Sequence, residues 1–431
     1  MDKFIIKGGN TLSGEVEISS AKNAVLPIIA ATILSGDKCT ILNCPMLLDV
    51  YVICDVLRSL GAKVEIESKN STVNIDTSNL SDNKPCGDLV RKMRGSFLIM
   101  GAMISRFGSF KISLPGGCNI GTRPIDLHLK GFKALGAKVK IDHGYVQVSA
   151  EKLIGDKIYL DYPSVGATEN IIMASVLAKG ETIIENVAQE PEIGDLINFL
   201  NKMGAKVKGI GTDTLKVTGV EYLHGAKHRP IYDRIEAGTF MIAAGITRSK
   251  MKINGINHEH IKPVIAKLSE MGMDIQLYNN GLIIDGRNEL KPIDIKTMPY
   301  PGFPTDMQPQ MMSLLSCVLG TSVVTETIFE NRFMHIAELK RMGANIKIDG
   351  RSAVIEGINK LTGAQVKATD LRAGAALILA GLESDGETEI VDIYHIDRGY
   401  SGIEKKLGLL GAEIKRVKDS SLDEELKVKN Q

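Results

Sequence analysis

Leu60-Gly61-Ala62, Leu135-Gly136-Ala137, Met203-Gly204-Ala205, Met271-Gly272-Met273, Met342-Gly343-Ala344 and Leu410-Gly411-Ala412 are six versions of one tripeptide. Each is followed by a polar residue and then Val or Ile, and the glycines are separated by 75, 68, 68, 71 and 68 residues. A glycine at the end of an amphipathic stretch is a helix stop, because it adopts positive φ without a β-carbon clash. A lone copy would mean no more than that. Six at one period mean that a supersecondary unit of about 70 residues is used six times.

A second marker keeps the same register. A strand led by Gly or Arg lies about 25 residues before each copy, as in Gly36-Asp37-Lys38-Cys39-Thr40-Ile41, Gly180-Glu181-Thr182-Ile183-Ile184 and Gly386-Glu387-Thr388-Glu389-Ile390. Each unit reads as strand, very apolar helix, strand, amphipathic helix and hairpin. The apolar helices are expected at Asn23–Leu34, Ser96–Ile104, Thr168–Ala178, Gly238–Ile246, Gln308–Leu319 and Ala373–Leu382. A helix that is apolar all round is buried, so helices inside and sheets outside are expected, the inverse of the usual α/β layering. The 431 residues then form two domains of three units or one solenoid of six. The polar, proline-ended stretch 225–230 reads as the linker between halves.

Composition excludes several classes. A formal charge of +1 and the lack of a basic run argue against binding long nucleic acid, which needs many phosphate contacts. No Trp and 5% aromatics leave little for base stacking. The six cysteines include no CxxC pair, and Met1-Asp2-Lys3 does not open a signal peptide. The apolar run from Leu26 to Leu34 is broken by Pro27 and is too short to span a membrane. A soluble cytoplasmic protein with free thiols is expected.

Because the units share a scaffold, informative residues are those one unit carries and the scaffold does not require. The junctions entering the buried helices hold Lys22-Asn23, Arg94, Ser164-Val165-Gly166, Asp233-Arg234, Thr305-Asp306 and Asp370-Leu371-Arg372. Asp, Ser and Thr there can be plain N-caps. Lys22, Arg94, Arg234 and Arg372 need another reason, since a cation at a helix start opposes the dipole. The loop Leu114-Pro115-Gly116-Gly117-Cys118-Asn119-Ile120-Gly121-Thr122-Arg123-Pro124 recurs in no other unit. Its glycines permit close approach to a ligand, Arg123 can grip phosphate or carboxylate in two-pronged fashion, and Cys118 is a candidate acid or nucleophile. His258-Glu259-His260 reads as an extended segment without further ligands, so no metal is expected. His128, His335 and His395 are expected to make hydrogen bonds.

Residues 115–124, Ser19-Ser20-Ala21-Lys22-Asn23-Ala24, Phe303-Pro304-Thr305-Asp306-Met307-Gln308, Glu330-Asn331-Arg332-Phe333-Met334-His335 and Tyr394-His395-Ile396-Asp397-Arg398-Gly399-Tyr400 closely resemble the UDP-N-acetylglucosamine 1-carboxyvinyltransferase family of enolpyruvyl transferases. The similarity runs from about Met1 to Val417. It implies two inside-out α/β barrel domains, each of three βαβαββ units with buried helices and outer sheets. Residues 22–229 would form one, residues 1–21 with 230–431 the other, and the active site would lie in the cleft between them.

The resemblance also implies an activity: transfer of the enolpyruvyl group of phosphoenolpyruvate to the 3′-hydroxyl of UDP-N-acetylglucosamine, without a cofactor or metal, as the first committed step of peptidoglycan synthesis. Cys118 would be the acid, and the residue that the epoxide antibiotic fosfomycin attacks in the family; Asp306 would be the base, with Asp370 supporting proton transfer. Lys22, Arg94, Arg123, Arg372 and Arg398 would hold phosphoenolpyruvate. Asn23, Arg94, Pro124, Ile125, Asp126, Leu127, His128, Ser164, Val165, Gly166, Thr305, Asp306 and Ile328 would hold the nucleotide sugar. Tyr162-Pro163 departs from those members that have a basic residue two positions before this serine, where the diphosphate contact would lie. The rival readings are a 3-phosphoshikimate 1-carboxyvinyltransferase, against which Lys92–Phe97 and the Cys118 loop speak, and a non-catalytic nucleotide-sugar-binding paralogue.

Overall fold

The computed structural model describes residues 2–80, 97–113 and 125–418. Arg94, Cys118, Arg123 and Pro124 lie outside them. The described helices, in chain order, are α1 (Lys22–Ala31), α2 (Leu48–Ser59), α3 (Ile99–Phe107), α4 (Asp126–Ala134), α5 (Val165–Ser175), α6 (Pro191–Lys202), α7 (Arg234–Ile246), α8 (Lys262–Glu270), α9 (Gln308–Leu315), α10 (His335–Arg341), α11 (Leu371–Glu383), α12 (Tyr394–Asp397) and α13 (Ile403–Leu409). All six repeat glycines have positive φ, between 91° and 104° in five of them and 108° at Gly272. Each closes its helix with a backbone bond from the next residue, such as Ala62 N–H to Leu57 C=O. This is the helix stop that the tripeptide implies.

The described chain divides into two compact units. One comprises residues 2–19 and 232–418, the other 20–80, 97–113 and 125–231. In the first, α7, α9 and α11 pack on one another. Every residue of α7 is buried, which its apolar composition demands. Three separately hydrogen-bonded sheets flank these helices. Their strands alternate buried and exposed residues, so each sheet has one wet face and one face on the core. In the second unit α3 packs on α1 and α5. Gly101 makes that crossing possible: a β-carbon there would stand 2.0 Å from Asn170 C=O oxygen.

Five of the described sheets have four strands and one has three; in three of them the strand before a buried helix pairs in parallel with the strand after it, and elsewhere the pairing reaches further along the chain. Three of these strands come from distant sequence. Glu15–Glu17 pairs in parallel with Lys250–Asn254. Lys227–His228 pairs in parallel with Lys38–Ile41. Asp2–Lys7 lies antiparallel between Glu387–Val391 and Glu413–Lys418. The stretch 225–230, read as a linker from its composition, therefore contains a strand. His228 within it is buried, donating from Nε2 to Asp195 Oδ1 (2.9 Å) and accepting at Nδ1 from Lys202 Nζ (3.1 Å), the only roles open to it beside an ammonium donor.

Most of the buried helices begin earlier or end sooner than their apolar runs suggest, whereas the regular helix of the second repeat, Ile99–Phe107, begins and ends later than the expected Ser96–Ile104. The regular helix of the fifth repeat stops at Leu315, and that of the third starts at Val165. The segment 258–260, expected as extended, lies in the 3-10 turn His258–Ile261, in which His258 Nε2 meets Gly281 C=O and His260 Nε2 meets Asn257 Nδ2. Among the described residues no helix is long and apolar enough to cross a membrane, and no group of three or more His, Cys, Asp or Glu could hold a metal ion. Cys39, Cys44, Cys54 and Cys317 are free thiols.

Candidate active site

In the unit containing residues 232–418, three helix starts carry an aspartate. Asp233 and Asp370 are N-caps, with Asp233 Oδ1 accepting from Ile235 N and Glu236 N, and Asp370 Oδ1 from Arg372 N and Ala373 N. Asp306 caps nothing. It sits within the 3-10 turn Thr305–Met307, whose N-cap is Pro304, so its carboxylate is left for other partners. Oδ1 accepts from Arg332 Nη2 (2.8 Å), and Oδ2 from Arg372 Nε and Nη2 (both 3.2 Å).

The two arginines are held away from water, and the aspartate is partly exposed. The Arg332 and Arg372 side chains are 3% and 1% exposed, and Asp306 is 27% exposed. Burial by itself would raise the Asp306 pKa, but the Arg332 and Arg372 guanidinium groups, with Arg234 further off, hold it well below the usual carboxylate range. For Arg372 the order is similar: burial disfavours the cation, while Tyr400, Asp306 and Asp233 more than restore it. Its guanidinium carbon lies 5.3 Å from the Tyr400 ring centroid. One terminal nitrogen of Arg372, Nη1, and Nε of Arg332 are buried donors that meet no acceptor within hydrogen-bond geometry among the described residues. Buried donors are rarely left so, and an anionic ligand is a natural partner for them.

A third carboxylate braces the group. Glu326, 1% exposed, accepts at Oε1 from Thr297 Oγ1, Ile328 N and Phe329 N, and at Oε2 from Thr305 Oγ1. Thr305 Oγ1 in turn accepts from Arg332 Nη1 at 3.1 Å. Thr305, Ile328 and Asp306 are thereby fixed in one hydrogen-bonded chain. His335, expected to hydrogen bond, has a buried Nε2 with no partner among the described residues; burial keeps it neutral, with its pKa pushed down to about 4. Arg398 is half-buried and caps the single turn α12.

The unit containing residues 20–231 carries a second group. Lys22 opens α1 and pairs with Asp49 in the first turn of α2 (Nζ to Oδ2, 2.7 Å), both side chains under 10% exposed. Neighbouring Asn23 is exposed. The starts of α4 and α5 are joined by Asn170, whose Nδ2 bonds His128 Nδ1 (3.1 Å) and Gly166 C=O (3.1 Å), while its Oδ1 accepts from Gly101 N. Lys130 to Asp161 (2.7 Å) ties the same two segments at the surface. Ile125, Leu127, Ser164, Val165 and Gly166 are half-buried here, Asp126 is exposed, and Ser164 caps α5. Burial pushes the His128 pKa down to about 4, so its ring is neutral. Tyr162 is 43% exposed, and its C=O accepts from Ser164 N.

The chain matches the family model described as EPSP synthase (3-phosphoshikimate 1-carboxyvinyltransferase) over residues 6–407. It is 71% identical to UDP-N-acetylglucosamine 1-carboxyvinyltransferase 1 of Clostridium acetobutylicum over 417 residues, covering 97% of this chain and 100% of that one. It is 66% identical to the enzyme named UDP-N-acetylglucosamine 1-carboxyvinyltransferase 2 of Clostridium tetani, with the same coverage. The chain belongs to the UDP-N-acetylglucosamine 1-carboxyvinyltransferase family. Among solved structures, the enolpyruvyl transferase NikO from Streptomyces tendae superposes with a TM-score of 0.88 at 25% identity, covering 96% of this chain and 99% of that one. EPSP synthase from Acinetobacter baumannii shares the fold at a TM-score of 0.75 and 20% identity, covering 97% and 100%.

Membership of the UDP-N-acetylglucosamine 1-carboxyvinyltransferase family agrees with the motifs read in the sequence. Those motifs did not single out every member of the polar groups. Arg332 stands inside the quoted run 330–335 without having been assigned a role, yet it is the nearer partner of Asp306. Asp49 and Glu326 were also missed. Only Arg332 carried a signal, as a charged residue in a run otherwise recognised; Asp49 and Glu326 look like ordinary surface acids in sequence.

Proposed function

We propose that this chain transfers the enolpyruvyl group of phosphoenolpyruvate to the 3′-hydroxyl of UDP-N-acetylglucosamine with release of phosphate, as a cytoplasmic enzyme of peptidoglycan synthesis. The observation that carries this reading is the 71% identity across essentially the whole of a relative bearing that name. In the reaction, a proton is added to the methylene carbon of phosphoenolpyruvate and the sugar hydroxyl attacks the adjacent carbon. The hydroxyl proton passes to the base, and loss of phosphate together with a proton of the newly formed methyl group then restores the double bond. Cys118 is assigned as the acid and Asp306 as the base, with Asp370 supporting proton transfer. Lys22, Arg94, Arg123, Arg372 and Arg398 take the phosphate and carboxylate charges. Asn23, Arg94, residues 124–128, residues 164–166, Thr305, Asp306 and Ile328 take the nucleotide sugar.

The ion pairs of Asp306 bear on its role. A carboxylate gripped by two arginines is ionised but a poor base, since efficient proton transfer wants a pKa nearer the working pH. Arg372 is shared: if phosphoenolpyruvate draws its guanidinium, Oδ2 of Asp306 loses a partner and becomes more basic when a substrate is present to need it. Nη1 of Arg372, which meets no acceptor in hydrogen-bond geometry among the described residues, gives the anion a first point of attachment.

The testing experiment is phosphate release from phosphoenolpyruvate with UDP-N-acetylglucosamine, run beside shikimate 3-phosphate. Release with the nucleotide sugar alone is expected. Release with shikimate 3-phosphate instead would overturn the acceptor, and release with neither would leave a silent binding paralogue.

A further inference from the structure

Arg398 is the last of the proposed phosphoenolpyruvate-binding residues in sequence, and its backbone belongs to a segment with little stability of its own. It caps α12, a helix of 4 residues. One turn forms too few hydrogen bonds to offset the entropy of ordering it. Something outside the turn must fix it, and three of the contacts among the described residues bear on this. Tyr400 Oη bonds Thr239 Oγ1 at 2.9 Å in the core. Gly399 lies so close to α11 that a β-carbon would be 2.3 Å from Leu371 Cδ1. The third contact is ionic and belongs to neither of these elements.

Asp397, immediately before Arg398, is held by Arg416 from the strand Glu413–Lys418. Both carboxylate oxygens are engaged, Oδ2 by Nη1 at 3.0 Å and Oδ1 by Nη2 in a still shorter contact. The same guanidinium reaches Asp2 Oδ2 (Nη1, 3.3 Å) and Glu404 Oε1 (Nε, 3.6 Å), and it lies 4.9 Å from the Phe4 ring centroid. Arg416 stands directly opposite Phe4 in the strand register. It thus joins two neighbouring strands, the start of α13 and the end of α12. Its side chain is 29% exposed and that of Asp397 27%, so the pair is less screened than a surface bridge. Two-pronged guanidinium–carboxylate contacts fix orientation as well as distance. The clamp gathers an arginine, two aspartates and a glutamate around a backbone that carries none of the proposed chemistry until the next residue.

We propose that Arg416 is a positioning residue for Arg398: by clamping Asp397 it sets where the Arg398 guanidinium meets the anionic substrate. This rests on the reading that Arg398 binds phosphoenolpyruvate. Arg416 itself touches no proposed substrate group, so it acts through its neighbour.

The test measures kcat and KM for both substrates in the full chain, in Arg416→Met and Asp397→Asn, each alone and combined with Arg398→Lys. Displacing a binding group by a fraction of an ångström to an ångström is expected to lower kcat/KM for phosphoenolpyruvate by about tenfold to a hundredfold, with KM for the nucleotide sugar unchanged. Combined with Arg398→Lys, either substitution should cost much less than it does alone, because residues acting as one unit are not additive. Arg416→Lys, which keeps the charge without the two-pronged grip, should recover part of the loss. Equal losses with and without Arg398→Lys, or KM rising for both substrates together, would make Arg416 a brace for the fold and overturn the proposal. If the unaltered chain releases no phosphate with the nucleotide sugar, the functional reading falls and this inference with it; an active parent with unaffected variants overturns the inference alone.

Discussion

Asp306 and Asp370 introduce consecutive buried helices of the same unit, yet they are used in opposite ways. Asp370 stands at the N-cap, and its Oδ1 satisfies two amides of α11. Asp306 stands within a 3-10 turn before α9, bonds no helix amide, and has both oxygens on arginines. A displacement of the aspartate relative to the helix start changes it from a cap to the centre of a charge cluster. A repeated scaffold provides the helix start, and chemistry becomes available where the repeat is broken.

The comparison can be broken most directly at Asp306. Asp306→Asn keeps the shape but removes the charge, and turnover is expected to fall by about 10²–10⁴-fold, the range for losing a general base. Retained turnover would reduce Asp306 to a partner for two arginines. Next comes the capping class. Asp233→Ala removes a cap of the same kind and should cost about 0.5–2 kcal/mol of folding stability, read by chemical denaturation. Asp370→Ser keeps a capping oxygen, so its stability should hold while turnover drops if the carboxylate also supports proton transfer. Equal stability and turnover in Asp370→Ser would make it a cap alone.

The last comparison is in the pH dependence of stability. Asp306 has a lowered folded-state pKa, so its ion pairs add stability that is present above the unfolded carboxylate value of about 3.9 and is lost as the pH falls through and below it. His128 and His335 are held at about 4 against an unfolded value of about 6.5. Between those two values the unfolded chain binds more protons, so stability falls as the pH drops from 6.5 to 4. His128→Asn should therefore flatten part of the upper window and Asp306→Asn only the lower one. A variant that flattens the other's window would contradict the assignment of these groups.

Much of the fold was legible because its signals are local. A glycine that must take positive φ, as at Gly61 and Gly411, leaves its mark in one residue, and a helix buried on all sides, as at α7, leaves it in thirteen. The cations at Lys22, Arg234 and Arg372 were likewise visible as charges in the wrong place for the dipole, and each does occupy the first or second position of its helix. Strand partners were not legible. Nothing near Glu15–Glu17 announces pairing with Lys250–Asn254, since pairing is settled by the whole packed unit. The same holds for Asp49 and Glu326, whose burial follows from tertiary neighbours.

The strand Asp2–Lys7 carries a further consequence, in the order of synthesis. Lys3 meets Glu389 across 386 residues of chain. At about 5–20 residues per second, the ribosome needs roughly 20–80 s to supply that partner. The described residues of the other unit, 20–80, 97–113 and 125–231, have strand partners that are all made by then. The unit begun first is therefore finished last. Until it is, a strand with Phe4 and Ile6 on one face waits with both edges open, the kind of segment on which nascent chains aggregate and holding chaperones act.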